Sequence, residues 1–257
     1  LSRLYYLRGR LNFRSWNFSQ AIKDFDAAIR IINTALKYIK SPGKRNRIYG
    51  LLGNIYLQLG RTYFHLGGAK NFNTAKEHLN RAISYYRRVR YSELMDQKMI
   101  SSVFHNLGIA YITLAEICYE TREYREGLKS INIGIKVITN SIRRLKIRST
   151  LIMMNLGISY ALRGDFLYKL GDRTMSIQSY KSAIDYYNDA LMMSTERNIE
   201  VLVNKSLSLF RLGKIYRELK DYDNAKQNLE ESIKITKNIL LSLIHISEPT
   251  RPRLISY

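Results

Sequence analysis

Residues 50–63 read GLLGNIYLQLGRTY and contain the unit Leu-Gly-x-x-Tyr twice, seven residues apart. Seven residues make about two turns of an α-helix, so the two units share one face if the stretch is a single helix. A glycine inside a helix costs about 1 kcal/mol relative to alanine, and close packing against a second helix can offset that cost. The stretch therefore predicts one unbroken helix in which Gly53 and Gly60 both face another helix.

A second pattern recurs five times and predicts a partner helix each time. It consists of a small residue, a large residue four positions later, a small residue three positions after that, and then isoleucine. This spacing places the three residues on one helical face, where the small ones admit a neighbouring helix and the large one fills the groove. The five triads are Ala21, Phe25 and Ala28; Ala75, Leu79 and Ala82; Gly127, Ile131 and Gly134; Ser176, Tyr180 and Ala183; and Ala225, Leu229 and Ser232. A Leu-Gly-x-x-Tyr unit precedes each of the last four triads and begins at Leu52, Leu107, Leu156 and Leu212.

Together these residues resemble the tetratricopeptide repeat over roughly residues 4–240. The last unit matches best, with Leu212, Gly213 and Tyr216 followed by Tyr222 and the triad that begins at Ala225. The triads recur at intervals of 54, 52, 49 and 49 residues, where the family's period is about 34. The resemblance implies an all-α solenoid of about five αα-hairpins that forms a right-handed superhelix with a concave groove. The longer period predicts first helices about two turns longer than the family's in hairpins two to four.

The pattern also divides the chain. The predicted hairpins cover residues 2–40, 45–90, 93–144, 146–194 and 197–240. Residues 241–257 break the pattern and resemble a translated sequencing adapter, so we expect a non-native or disordered tail there. Because the chain starts at leucine instead of methionine and its repeats stop at this tail, we expect a fragment of a longer natural protein.

The chain is strongly basic, with 42 Lys and Arg against 21 Asp and Glu and a formal net charge of +21. A surplus of this size attracts polyanions. The cations cluster where one predicted hairpin ends and the next begins, and this polyanion edge comprises Lys44, Arg45, Arg47, Arg87, Arg88, Arg90, Arg143, Arg144, Lys146 and Arg148. Two interpretations remain open. The cations stabilise helix C-termini, or they form an edge that binds RNA, a ribosomal surface or anionic lipid.

A second set of candidates lies on the predicted first helices, which line the groove in this family. These five residues suit contact with a protein or peptide partner, including an acidic one: Asn54, Arg61, Arg211, Lys214 and Arg217. Some members of the family grip a partner's C-terminal carboxylate with such residues. Here that clamp is incomplete, because Ile109 and Ile158 occupy the positions equivalent to Asn54.

The sequence lacks the patterns of a catalytic, cofactor or metal site. Its four histidines have no ligand spacing, and it has no glycine-rich phosphate loop. The carboxylates of residues 116–126 alternate with arginines, as on a solvated surface. The single cysteine, Cys118, excludes an intrachain disulfide, and the longest apolar run, residues 151–162, is too short to span a membrane. We therefore expect a cytoplasmic, non-enzymatic protein with no cofactor and no membrane span.

Three functions stay open at this point. The first is a scaffold that binds a peptide or partner helix in the concave groove. The second is a basic helical-repeat protein that binds RNA or another polyanion. The third is a regulatory or sensor fragment of a larger transcriptional regulator or signalling protein.

Overall fold

A computed structural model describes residues 1–89, 96–195 and 198–247, with side chains up to residue 242. These residues form ten helices and no strand, as the sequence predicts. The helices are α1 Ser2–Arg14, α2 Phe18–Leu36, α3 Pro42–Leu66, α4 Ala69–Arg88, α5 Gln97–Glu120, α6 Tyr124–Leu145, α7 Thr150–Lys169, α8 Arg173–Met192, α9 Ile199–Glu218 and α10 Tyr222–Ser247.

The helices pair in chain order as five antiparallel hairpins, distributed over two compact units. The first unit, Leu1–Arg148, holds hairpins α1/α2, α3/α4 and α5/α6. In it α2 packs on α3, α4 packs on α5, and α3 also touches α1 and α5. The second unit, Ser149–Tyr257, holds α7/α8 and α9/α10, and α9 packs on both α7 and α8. The all-α architecture of five hairpins is thereby confirmed.

Helix α3 is unbroken from Pro42 to Leu66, and both glycines of the doubled unit face α4. A Cβ atom on Gly53 would lie 2.5 Å from the ring of Tyr86, and one on Gly60 would lie 2.6 Å from Leu79. Such distances are far shorter than van der Waals contact, so only glycine lets the two helices approach this closely. The prediction for this stretch is confirmed.

The same two rows of contacts recur in the second unit. A Cβ atom on Gly157 would lie 2.4 Å from the ring of Tyr187, and one on Gly164 would lie 3.0 Å from the ring of Tyr180. Both rings are almost completely buried. Each hairpin of this kind is therefore held by two small-against-large contacts, seven residues apart on each helix.

Helix α9 is as long as α7, at 20 residues each, although we assigned the extra length to hairpins two to four. The glycine pattern missed the extra length of α9 because Ser206, 49 residues after Gly157, stands where the pattern has glycine. Its hydroxyl lies 3.0 Å from the Oγ of Ser232 and 2.9 Å from the Oγ1 of Thr236. In the last hairpin, hydrogen-bonded hydroxyl groups thus take the place of the glycine–tyrosine contact. A search for glycine motifs cannot detect this kind of helix contact.

Four of the five hairpin turns use one backbone geometry. In each, a single residue with positive φ follows the first helix, and the next N–H group donates to the carbonyl five residues earlier. These residues are Trp16, Arg122, Gly171 and Lys220, with φ of 58, 61, 90 and 61°. The left-handed conformation satisfies the last carbonyls of the helix and reverses the chain.

Replacing Lys220 with glycine should stabilise the second unit by about 1 kcal/mol, because a side chain in the left-handed region is strained and glycine is not. Thermal unfolding of the Lys220→Gly variant measures this as a higher Tm. The reverse change at the equivalent turn position, Gly171→Ala, should lower the Tm by a similar amount. A fall in Tm for Lys220→Gly would contradict the strain argument.

One helix of the described residues, α5, is long and apolar enough by composition to cross a membrane. It lies against α3, α4 and α6, and most of its side chains are buried there. Burial on several sides accounts for its apolar composition.

Candidate functional site

Asn54, a predicted partner contact, is half-buried and bonded inside the first unit. Its Oδ1 accepts hydrogen bonds from the Tyr86 hydroxyl and from the Nδ2 of Asn106, each at 2.8 Å. These bonds join α3 to α4 and α5. The Oδ1 of Asn54 therefore holds three helices together.

Arg61 on α3 lies over the ring of Phe13, 5.7 Å from its centroid. Its charge also acts on Glu116 of α5. Burial raises the pKa of the Glu116 carboxyl to about 7, and the nearby Arg61 opposes that rise. We expected a solvated carboxylate at this position, but Glu116 is half-buried. Glu123 and Glu126 do agree with the expected charged surface, since they pair with Lys76 and Lys129.

Arg211 on α9 forms an ion pair with Asp165 of α7. Asp165 also accepts a 2.5 Å hydrogen bond from the Tyr180 hydroxyl. Burial raises the pKa of Asp165, and Arg211 opposes the rise. Because a carboxylate already offsets its charge, Arg211 is less suited to bind an acidic partner than the exposed Lys214 and Arg217.

An exposed apolar strip adjoins these two cations on α9. Val203, Leu207 and Phe210 are 49%, 43% and 46% exposed. Their spacing of four and three residues places them on one face, and Lys214 and Arg217 continue it. We call these five residues the α9 strip. The cations of this strip were predicted from the sequence and its apolar half was not, although the i, i+4, i+7 spacing of Val203, Leu207 and Phe210 indicates one helical face.

The equivalent positions of the preceding first helix show what this face accommodates. Met154 and Ala161 of α7 stand 49 residues before Val203 and Phe210. Both are buried, at 7% and 8% exposure. The face that is exposed on α9 at Val203 and Phe210 is therefore covered at the equivalent positions of α7.

A basic groove lies in the first unit, where α4 ends beside the start of α3. Its volume is about 580 Å³. The residues lining this basic groove are Lys40, Pro42, Arg45, Asn46, Tyr49, Arg87 and Arg88. Three members of the predicted polyanion edge thus meet in one place, because antiparallel pairing brings the end of α4 to the beginning of α3.

The other members of the polyanion edge lie elsewhere. Lys44 and Arg47 are exposed on α3 beside the basic groove, and Arg90 lies outside the described residues. The cluster of Arg143, Arg144, Lys146 and Arg148 is exposed at the end of α6 and just beyond it. In the described part of the chain α6 contacts α5 and neither α3 nor α4. The sequence clusters therefore separate into the basic groove and a second site at the end of α6.

No group of three His, Cys, Asp or Glu side chains among residues 1–89, 96–195 and 198–242 is arranged to hold a metal ion. Burial raises the pKa of the Cys118 thiol to about 11, which disfavours the reactive thiolate.

Comparisons with known proteins agree with this geometry. The family model for the tetratricopeptide repeat matches residues 158–192 and 207–239. No curated protein matches the chain. Among solved structures, the apo form of RapI has a TM-score of 0.59 at 14% identity, over 92% of this chain and 54% of that one. A Rap protein complexed with competence and sporulation factor has a TM-score of 0.56 at 17% identity, over 94% and 56%. BtubC (BKLC) from P. vanneervenii has 0.54 at 14%, over 97% and 83%.

The likeness to these structures concerns the fold, and this chain spans about half the length of the two Rap chains. Families built on such scaffolds are generally non-enzymatic. The repeated helix-packing contacts, the two matched repeats and the similar solved structures agree on the fold: the chain is an array of helical hairpins like those of tetratricopeptide-repeat proteins.

Proposed function

We propose that the protein is an interaction scaffold and that the α9 strip binds an amphipathic helix of a partner protein. The observation that carries this proposal is the row of three half-exposed apolar side chains that ends in two exposed cations. Surfaces with apolar anchors spaced along one face are the usual complement of an amphipathic helix. From Val203 to Arg217 the strip is about 21 Å long, at about 1.5 Å per residue, which corresponds to four turns of a partner helix.

The charges of the strip define the chemistry of the partner. Lys214 lies over the Phe210 ring at 5.8 Å, so its stem covers apolar surface while its ammonium group stays near the end of the strip. Arg217 lies one turn further on. We therefore expect a partner helix with apolar residues along one face and acidic residues where it meets Lys214 and Arg217.

The fold supports this role. Helical-repeat arrays present extended surfaces to their partners. Among the structurally similar proteins, a Rap protein is solved in complex with competence and sporulation factor. Binding of a partner by a protein of similar fold supports partner binding here.

The test selects helical peptides from a displayed library against the whole chain and measures the affinity of the best ones by calorimetry. We expect selected peptides to carry apolar residues at i, i+3 or i+4 and i+7, with acidic residues at one end. A Leu207→Asp/Phe210→Asp variant should bind them at least about 30-fold more weakly, the loss typical of central anchor residues.

Ile133→Asp serves as the matched control, because Ile133 is an exposed apolar residue of α6 at 43% exposure and lies outside the strip. It should bind the peptides as the parent does. Peptides that bind the parent and the double variant equally well would show that the α9 strip is not the binding surface.

A further inference from the structure

We propose that the basic groove is a binding site for single-stranded RNA, in which a base stacks on Tyr49 while Arg45, Arg87 and Arg88 bind phosphate groups. This site is independent of the α9 strip, since it lies in the first unit and uses different chemistry. In this proposal three members of the polyanion edge share one site with an aromatic residue.

The arginines of the groove are held in place by neutral partners. The Nε of Arg45 donates to the carbonyl of Ile39 at 2.7 Å. The Nη2 of Arg87 donates to the Tyr111 hydroxyl at 2.6 Å. Both partners are uncharged, so these bonds orient the guanidinium groups and leave their positive charge, and each guanidinium has further N–H donors.

Arg88 is held differently, by stacking. Its guanidinium lies 5.3 Å from the centroid of the Tyr85 ring and 6.0 Å from that of Tyr49. Elsewhere the described chain pairs cations with carboxylates, as in Arg8 with Asp24. No described carboxylate lines the basic groove. A concave site whose cations have no carboxylate partner among the described residues attracts phosphate strongly.

Tyr49 is the last ring of a row of aromatic contacts between α3 and α4, in which the first three pairs are stacked and the last, Tyr85 with Tyr49, is tilted by 33°. Successive centroids lie 5.3 Å apart from Tyr63 to His78, 5.9 Å from His78 to Tyr56, 5.5 Å from Tyr56 to Tyr85 and 6.2 Å from Tyr85 to Tyr49. We call these five rings the aromatic stack. The Tyr49 ring is half-buried and lines the groove, so a nucleobase placed there would extend the stack.

The combination of rings and cations favours RNA over other polyanions. A sulfated sugar or a lipid headgroup would use the arginines but gain nothing from the end of an aromatic stack. Single-stranded nucleic acid uses both, because its bases stack on aromatic side chains while basic residues follow its backbone. A volume of about 580 Å³ falls within the range of about 300–1,000 Å³ that small-ligand sites occupy.

The test measures binding of the whole chain to a fluorescein-labelled oligouridine of about ten nucleotides by fluorescence anisotropy. Three phosphate contacts predict that log K falls against log salt with a slope of about −2, between roughly 50 and 200 mM salt. The Arg45→Gln/Arg88→Gln variant should bind at least about tenfold more weakly at the lower salt, and its slope should shrink by about 1.4. Lys234→Gln/Lys237→Gln on α10, two exposed lysines, removes the same net charge and should change neither quantity.

Substitutions of Tyr49 separate RNA from other polyanions. Tyr49→Leu should weaken oligouridine binding by about 5- to 100-fold, and Tyr49→Phe should retain binding within about twofold, because it keeps the ring. Binding to heparin oligosaccharides and to phosphatidylserine vesicles should not respond to Tyr49→Leu. The proposal is overturned if Tyr49→Leu leaves RNA binding unchanged, or if the α10 control variant loses as much as the groove variant. Thermal melting of every variant verifies that it is folded.

Discussion

The Gly157→Ala variant should be less stable than the parent by about 1–2 kcal/mol. The new Cβ would lie 2.4 Å from the ring of Tyr187, which is only 1% exposed. Overpacking of a filled core costs about 1–3 kcal/mol and occasionally more, while alanine returns about 1 kcal/mol through its helix propensity. Thermal or urea unfolding of the variant measures the difference.

The control is another buried glycine of a first helix, Gly50 on α3. A Cβ at Gly50 would meet its nearest neighbour, Val103, at an ordinary 3.5 Å. Gly50→Ala should therefore stabilise the protein by about 0.5–1 kcal/mol. Opposite signs for two identical substitutions are the decisive result, and equal losses at both positions would contradict the packing argument.

A double-mutant cycle extends this test. Gly157→Ser with Tyr187→Thr reproduces in hairpin α7/α8 the Ser206–Thr236 contact that hairpin α9/α10 uses at the same positions. Each single change should destabilise the unit, the first by a clash and the second by a cavity. The two together should cost at least about 1 kcal/mol less than the sum of the singles, because the smaller side chain removes the clash.

The second large effect concerns Glu116, whose replacement by glutamine should stabilise the protein by about 1–3 kcal/mol near pH 8. Burial raises the folded-state pKa of this carboxyl from 4.5 to about 7. The folded state thus holds the proton more tightly than the unfolded state, so stability falls as the pH rises from about 4.5 through 7. Glutamine is neutral at every pH and avoids this loss.

Urea unfolding of the parent and of Glu116→Gln between about pH 5 and pH 8 measures the effect. The advantage of the variant should be small at pH 5, grow through pH 6 and 7, and level off above. Glu120→Gln, one turn later at an exposed position, should change stability by less than about 0.5 kcal/mol. An advantage of Glu116→Gln that is the same at pH 5 and pH 8 would mean that the amide simply packs better, with no role for ionisation.

The helices and their partners were predictable because the signals are local. Small and large residues at fixed spacings identify the contact face of each helix within one or two turns of chain. The pattern missed Gly9 on α1, whose added Cβ would lie 2.6 Å from Phe25, because an arginine precedes it in place of the expected leucine. Gly9 packs against Phe25 as the glycines of the Leu-Gly motif pack against their partner helices, but the motif does not detect it because Arg8 precedes it.

The site residues were harder to predict, since their roles depend on which charges meet across different helices. Arg211 and Lys214 looked alike in the sequence, yet only Arg211 reaches a carboxylate on α7. The basic groove, by contrast, could have been anticipated. Once α3 and α4 are paired in antiparallel orientation, Arg45 and Arg88 must come to the same end of the hairpin.

The contacts that differ between hairpins α7/α8 and α9/α10 also bear on how a repetitive chain avoids misfolding. Repeat proteins are prone to domain swapping and to mispairing of similar elements. In the second unit, pairing α9 with α8 in the α7 register would press Ser206 against the Tyr187 ring, which lies only 2.4 Å from the place of a Cβ added at position 157. Gly157 opposite Thr236 would instead leave a void. The differing side-chain sizes at equivalent positions therefore favour pairing of each first helix with its own second helix.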